Sequence, residues 1–505
     1  MKKILSFILV ISLVFSLCVT GSASSNKCNC CLTPVVHVPG FGEPIYKNPG
    51  EQDNYTVFPP EGDAITNAIP DLITAVIFGL LTDNFEVFGK FAAKGANIML
   101  GEAACDKNGD PLYNTGVESS EHLIDTHKNT IYVSEHSSDN GYFLYSYDWR
   151  LDPIDNAKGL RNFIDEVKKL TGHNKIILSA HSQGNTIVTS YLHLFGNGGI
   201  EKILFLSPAY QGLSLVGSLF TQDVKVQGKG DALADYLNGI MGYDDIKSQL
   251  ITAVIKEING FGTVDAVLCY LQKVLDDQLD RVFAESLTDI IGTLPGIWAF
   301  VPDEYYEEAK EAVFKGNAEY QKLIERIDYY HYNVQIKTES IIKTAKSKGT
   351  SVIIAAGYNI SSIPVTEGGE VHSDYLIDTK YMSLGATCSP FGITYDKDYK
   401  QLKSACGHNH LSADGLIDAS TCAFPEYTWF IKNNGHNVFE PGYCGFLNWA
   451  LRYKGQPNVR TNPLYPQFMN SNGDTLSPVT GADKKDSRSN INIIFSSIIA
   501  LIKES

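Results

Sequence analysis

A chain of 505 residues, 44% hydrophobic and 19% charged, can bury a large core as one domain with insertions or as two to three smaller ones. Its formal charge of -16 gives an acidic surface, which argues against DNA or RNA as partners because phosphate binding needs a basic face. No basic stripe, P-loop or pair of zinc-type CxxC motifs interrupts that pattern.

Lys2 and Lys3 precede an apolar run from Ile4 to Val19, and the small residues "TGSASS" follow. This is the layout of a cleaved export signal over residues 1–25, with cutting after Ala23 or Ser25. An uncleaved anchor is the alternative, but the run is short of the roughly 20 residues a membrane span needs. Leu17 ahead of Cys18 does not suit a lipoprotein signal. The expected location is therefore outside the cell, where disulfides persist. Cys28, Cys30, Cys31 and Cys105 form one group of four and Cys388, Cys406, Cys422 and Cys444 another. Pairing is expected within each group, with Cys269 left as a buried free thiol.

Residues 26–470 read as one α/β domain. "PVVHVPGFG" (34–42) is a buried strand ended by a Pro-Gly turn, and "YFLYSYDWR" (142–150) is a second, aromatic strand. Leu160, Phe163, Ile164 and Val167 then recur at helical spacing up to the stop at Gly172. "KIILSA" (175–180) is a strand, the next segment carries Ile187, Val188, Tyr191 and Leu192 on one helical face, and "EKILFLSPAY" (201–210) is a strand again. Strands alternating with helices of this length predict βαβ units and a mostly parallel sheet. From about 212 to 348 the period is mainly helical, with one face formed by Val264, Val267, Leu268, Leu271, Val274, Leu275, Leu279, Val282 and Phe283. Strand character returns at "TSVIIAAGY" (350–358), so the helical block is expected to be a cap inserted above the sheet; extra core helices are the alternative.

The turn "AHSQG" (180–184) lies where the period changes from strand to helix. A small-x-Ser-x-small string alone is weak evidence, but strand, sharp turn and helix together make a nucleophile elbow. Such a turn demands small residues two before and two after the serine, here Ala180 and Gly184, and it lifts the Ser182 hydroxyl above the sheet edge. Helix capping is the plain structural alternative for that serine. A serine nucleophile needs a base oriented by an acid, in the chain order Ser, Asp or Glu, His on this fold. Asp414 sits on an Asp-Gly turn and is followed by a single histidine, His436, so Ser182–Asp414–His436 is the simplest triad, with Asp418 as the rival acid. The oxyanion donors expected are the main-chain N–H groups of Gln183 and Phe41, while His37 is expected to be a packed core residue. This chemistry needs no metal and no cofactor.

"PVVHVPGFG", "YSYDWRLDP", "AHSQG" and "GTLPGIWAFVP" (292–302), followed by the Asp-Gly turn and a late histidine, resemble the lecithin–cholesterol acyltransferase family of α/β-hydrolase lipases. The order matches across most of 34–440, and "YDWR" is the most specific element. The resemblance implies a capped α/β-hydrolase that acts on lipid esters, passing the acyl group to water or to an alcohol. Hydrolysis is the first expectation, because water is the default acceptor outside the cell. Asp148, Trp149 and Arg150 are expected to be mainly structural, an ion pair and an indole beside the site, with direct substrate contact as the alternative. A lipid or other ester is the expected partner, at a membrane or micelle surface. A non-catalytic surface binding protein of the same fold and a peptidase are the other classes; the complete Ser, Asp, His and Pro-Gly-Phe set and "YDWR" argue against them in turn.

Residues 471–505 read as a polar linker followed by an apolar end. Ser477–Gly481, "SPVTG", resembles a variant sortase signal with Thr480 at the cut, which would anchor the chain to the cell wall. The apolar run 491–502 is short and Lys503 is followed by Glu504, so a terminal packing helix is the alternative.

Overall fold

The computed structural model describes residues 33–60, 86–117, 142–226, 230–241, 246–362, 371–403, 406–436 and 441–481. The expected export signal, Cys28, Cys30, Cys31 and the chain beyond 481 lie outside the described residues.

An eight-stranded sheet forms the centre. Its strands are β1 (Val35–Val38), β2 (Tyr142–Leu144), β3 (Ile176–His181), β4 (Ile200–Leu206), β5 (Ser351–Tyr358), β6 (Thr428–Lys432), β7 (Phe468–Ser471) and β8 (Leu476–Pro478). The spatial order is β8-β7-β6-β5-β4-β3-β1-β2, and every pair is parallel except the edge pair β7–β8. The inner strands are buried along their whole length except at Glu201, which is why they read as continuous apolar runs rather than alternating ones.

Period-two side-chain direction divides those runs between two layers. Ile176, Leu178, Ile203, Phe205, Val352 and Ile354 face α1 (Pro153–Thr171), α2 (Gly184–Phe195) and α3 (Thr338–Ser347). Ile177, Leu204, Leu206, Ile353, Trp429 and Ile431 face α4 (Pro441–Arg452) through Tyr443, Phe446 and Leu447. Helix α1 starts on the Asp152 carboxylate, which accepts from the Ile154 N–H, and stops at Gly172 in the left-handed region. The result is the three-layer α/β-hydrolase arrangement that the sequence predicts.

The 212–348 segment is helical as read, and most of it builds its own core around Phe220, Phe283, Trp298, Tyr306, Phe314 and Leu323. Its last helix, α3, instead packs Ile342 and Ala345 on the sheet.

Four expectations are corrected. The aromatic strand ends at Leu144 rather than Arg150: the Tyr145 N–H still donates to the His37 carbonyl, and the chain turns further on, where the Leu151 N–H donates to the Asp148 carbonyl beside the Asp148–Arg150 ion pair. The supposed linker from 471 begins inside the sheet: Ser477 pairs with Asn470 in an edge hairpin, although Thr480 beyond it is exposed. Cysteine pairing also differs, since no disulfide joins the described cysteines. Cys444 rides on α4, whereas Cys388 and Cys422 pack with a cluster around Ile417 and Tyr381, so the four are not gathered in one place. Cys269 is exposed rather than buried: Leu268, Val274 and Leu279 form the inner face of helix Thr263–Val282, and Val267 and Cys269 point outward.

Candidate active site

Parallel strands bring their C-terminal ends to one edge, where the connecting turns can converge. Ser182 follows β3 with φ 52°, the left-handed conformation of a tight elbow and a strained one for a side chain with a Cβ. Gly184 permits this turn: a Cβ there would lie 2.2 Å from the Val38 carbonyl oxygen. The turn after β1 passes so close that a Cβ on Gly40 would meet the Ser182 Cβ at 2.8 Å and its Oγ at 3.4 Å. Phe41 is the next residue. Among the described residues neither the Phe41 nor the Gln183 N–H has a hydrogen-bond acceptor, so both predicted oxyanion donors flank the serine with their hydrogens uncommitted.

His436 reaches this edge from the turn after β6. Its Nδ1 lies 2.8 Å from Asp374 Oδ2, and the Asp374 side chain is fully buried. The other carboxylate oxygen, Oδ1, accepts from the Leu376 and Ile377 N–H groups at 3.1 and 2.8 Å. One oxygen therefore fixes the carboxylate to the backbone while the other holds the ring through its Nδ1–H, an arrangement in which Nε2 can serve as a base. Among the described residues no hydrogen bond joins the Ser182 hydroxyl to His436. What ties the two together is His181, whose Nε2 lies 2.8 Å from the His436 carbonyl oxygen, the rings 4.8 Å apart. Burial drives the His181 pKa well below its usual value, so this ring stays neutral and donates its Nε2–H.

The acid predicted from the sequence is thus replaced. Asp414 lies 2.9 Å from Lys432 Nζ, both side chains buried, and also accepts from Tyr358 Oη at 3.1 Å. Asp418 accepts from Tyr399 Oη and the Leu402 and Ser420 N–H groups. Asp414 is thus committed to the ends of β5 and β6 and Asp418 to the loop between them, and neither touches His436. Asp374 keeps the Ser, Asp, His order. It shares the connection after β5 with Asp414 and Asp418, so chain order alone does not single it out, and no Asp-Gly turn marks it.

Beside the serine, Arg150 is completely buried and uses its whole fork. Nε and Nη2 clamp Asp148 at 2.9 and 2.6 Å, and Nη1 donates to the Ala103 carbonyl and Thr115 Oγ1, both at 2.9 Å. Trp149 packs on Phe41 with ring centroids 4.3 Å apart, and its carbonyl accepts from Gln183 Nε2 at 2.8 Å. The Gly296 N–H donates to the Arg150 carbonyl at 2.8 Å, which docks the "GTLPGIW" segment on the same turn. The "YDWR" element therefore braces the turns that carry Phe41 and Gln183, an ion pair and a packed indole as its structural reading expects. His37 is buried as expected, and burial lowers its pKa to about 3. Arg150→Met should lower the melting temperature sharply, since stranding one partner of a buried ion pair costs about 3–5 kcal/mol. Arg150→Lys should rescue little, because an ammonium cannot reproduce the fork. Calorimetry of the three proteins checks this, and unchanged melting in Arg150→Met would refute the brace.

A family model described as "Lecithin:cholesterol acyltransferase" matches residues 116–219, the stretch that carries "YDWR" and the elbow. The resemblance seen in the sequence is borne out over that stretch. No curated protein matches the chain. Among solved structures, one similar chain is described as "The crystal structure of Tle4-Tli4 complex". It is 13% identical, the match covers 65% of this chain and 75% of that one, and the TM-score of 0.25 is too low for the likeness to carry an argument.

Proposed function

We propose that this protein is a serine hydrolase of lipid esters, acting outside the cell through an acyl-enzyme at Ser182. The observation that carries the reading is the strained Ser182 beside a His436–Asp374 pair at 2.8 Å. In this mechanism His436 Nε2 takes the hydroxyl proton as Oγ attacks the ester carbonyl, and the Phe41 and Gln183 N–H groups receive the oxyanion. The same proton then goes to the departing alcohol. Water, deprotonated by His436, releases the fatty acid and restores the serine. The family match supports a second reading, in which an alcohol takes the place of water in that last step.

A lipid surface as partner is supported by the insertion. Phe261, 85% exposed, tips the turn between helices Ile246–Asn259 and Thr263–Val282, with Ile258 and Val267 exposed beside it. Apolar side chains grouped at such a tip suit insertion among acyl chains. Turnover of p-nitrophenyl esters should therefore favour long chains and rise when the substrate passes its micelle concentration. A flat response with short esters preferred would instead identify a plain esterase. Adding a lipid alcohol separates the two readings, since transfer yields a new ester and hydrolysis only free acid.

Wall attachment at Thr480 remains part of the proposal, supported by the exposure of that residue next to the β8 edge. Fractionated cells should release the native chain only on wall digestion and the Thr480→Ala chain without it. An intact C-terminus free in the medium would exclude sorting.

A further inference from the structure

The loop after Gln401 and the turn before β6 bring four side chains together far along the chain from the triad. Cys406, His408, His410 and Glu426 each offer one ligand atom, and these atoms all lie within 4.8 Å of one another. Cys406 Sγ is 3.0 Å from His410 Nε2, and Glu426 Oε1 is 3.2 Å from both His410 Nε2 and His408 Nδ1. We propose that Cys406, His408, His410 and Glu426 bind a structural zinc ion.

The donor set is the first ground. A thiolate, two imidazoles and a carboxylate suit zinc, which takes four such ligands in a closed tetrahedral site. Bond lengths of about 2.0–2.3 Å put neighbouring ligand atoms of a tetrahedron roughly 3.3–3.8 Å apart. These three separations, 3.0, 3.2 and 3.2 Å, lie just below that range and all four atoms lie within 4.8 Å, so side-chain shifts of about an ångström or less would admit the ion.

The outer contacts are the second ground. His410 is buried, and its Nδ1 lies 2.7 Å from Gln467 Oε1. Gln467 has its amide direction fixed, because its Nε2 donates to the Pro425 and Thr428 carbonyls at 2.7 and 3.2 Å. His410 Nδ1 then carries a proton, and the neutral ring of a metal ligand would turn the lone pair of Nε2 toward the cluster. A bound cation would serve that lone pair, the carboxylate oxygen facing it and the thiolate together. Arg460 grips both carboxylate oxygens, with Nη1 2.9 Å from Oε1, the oxygen that also faces the two histidines, and Nη2 on Oε2, and so fixes the ligand in place.

Position sets the role. Glu426 belongs to the turn Pro425–Tyr427 that starts β6, and His436 hangs beyond the other end of that strand. Five strand residues span roughly 16 Å at about 3.3 Å per residue, so the ion would brace the base of β6 without touching the reaction. It would tie the 406–410 loop to the strand that delivers the catalytic histidine.

The test uses the full chain, dialysed against zinc and then against metal-free buffer. Elemental analysis should find about one zinc per chain. Exposed His408→Gln and half-buried Cys406→Ser should each lose most of it while keeping the wild-type circular dichroism. The cobalt(II)-loaded wild type should show a thiolate-to-cobalt charge-transfer band that Cys406→Ser lacks. A chelator should lower the melting temperature of the wild type and leave that of Cys406→Ser unmoved. A chain that retains no zinc, variants that retain as much as the wild type, or Cys406 recovered in a disulfide would each overturn the site. Ester turnover plays no part in these readouts, so the zinc and the hydrolase proposals fail separately.

Discussion

Ser182→Ala is expected to remove ester turnover by a factor on the order of a million, the usual consequence of losing a triad nucleophile. No other hydroxyl can take over, because the position depends on the backbone rather than on the side chain alone. The φ of 52° at Ser182, the absence of a Cβ at Gly184 and the close passage of Gly40 together deliver one atom to the sheet edge. Alanine fits the same turn, so the variant should fold and melt like the wild type. Steady-state kinetics with a long-chain p-nitrophenyl ester, alongside a melting curve, separates loss of chemistry from loss of structure. Turnover within tenfold of the wild type would refute the elbow as the nucleophile's seat.

Asp374→Asn should cost on the order of ten-thousandfold in turnover, since an amide at that position favours the wrong histidine tautomer. Asp414→Asn should behave in the opposite way. It leaves His436 alone but breaks the buried Asp414–Lys432 ion pair, and removing one partner of such a pair costs about 3–5 kcal/mol. The expected pattern is therefore a stable but inactive Asp374 variant and an unstable Asp414 variant whose folded fraction is active. Turnover per folded molecule and thermal melting, measured on both, give the comparison. Full activity in Asp374→Asn would show that another carboxylate holds the ring.

The contrast between these two acids shows what the sequence could and could not reveal. The inner strands were legible because parallel strands buried on both faces are written as unbroken apolar runs, and α1 and α2 because one face recurs at helical spacing. Ser182, Gly184, Phe41 and Gln183 were legible for a related reason: the elbow and the turn after β1 are local events governed by residues a few positions apart. The acid is not local. Asp374 meets His436 across 62 positions, through the end of β5 and the end of β6, and nothing near it in the chain marks it. An Asp-Gly turn marks Asp414 well, but what that turn exposes goes to Lys432. Strand β6 was hidden among the polar loops around it, and so was the β7–β8 edge, whose short strands carry little apolar pattern. The Cys-x-His-x-His spacing is not a CxxC pair, and its fourth member, Glu426, lies sixteen positions past His410. Cys269 was misplaced by one step around a helix, where a neighbour of the buried Leu268 turns to solvent.

Covalent capture tests the central claim most directly. A long-chain fluorophosphonate should add once to the wild-type chain, and peptide mapping should place the adduct on Ser182. Its rate should fall steeply in His436→Ala and in Asp374→Asn, and Ser182→Ala should take up none. An adduct mapped to another residue, or equal labelling of wild type and Ser182→Ala, would contradict the account.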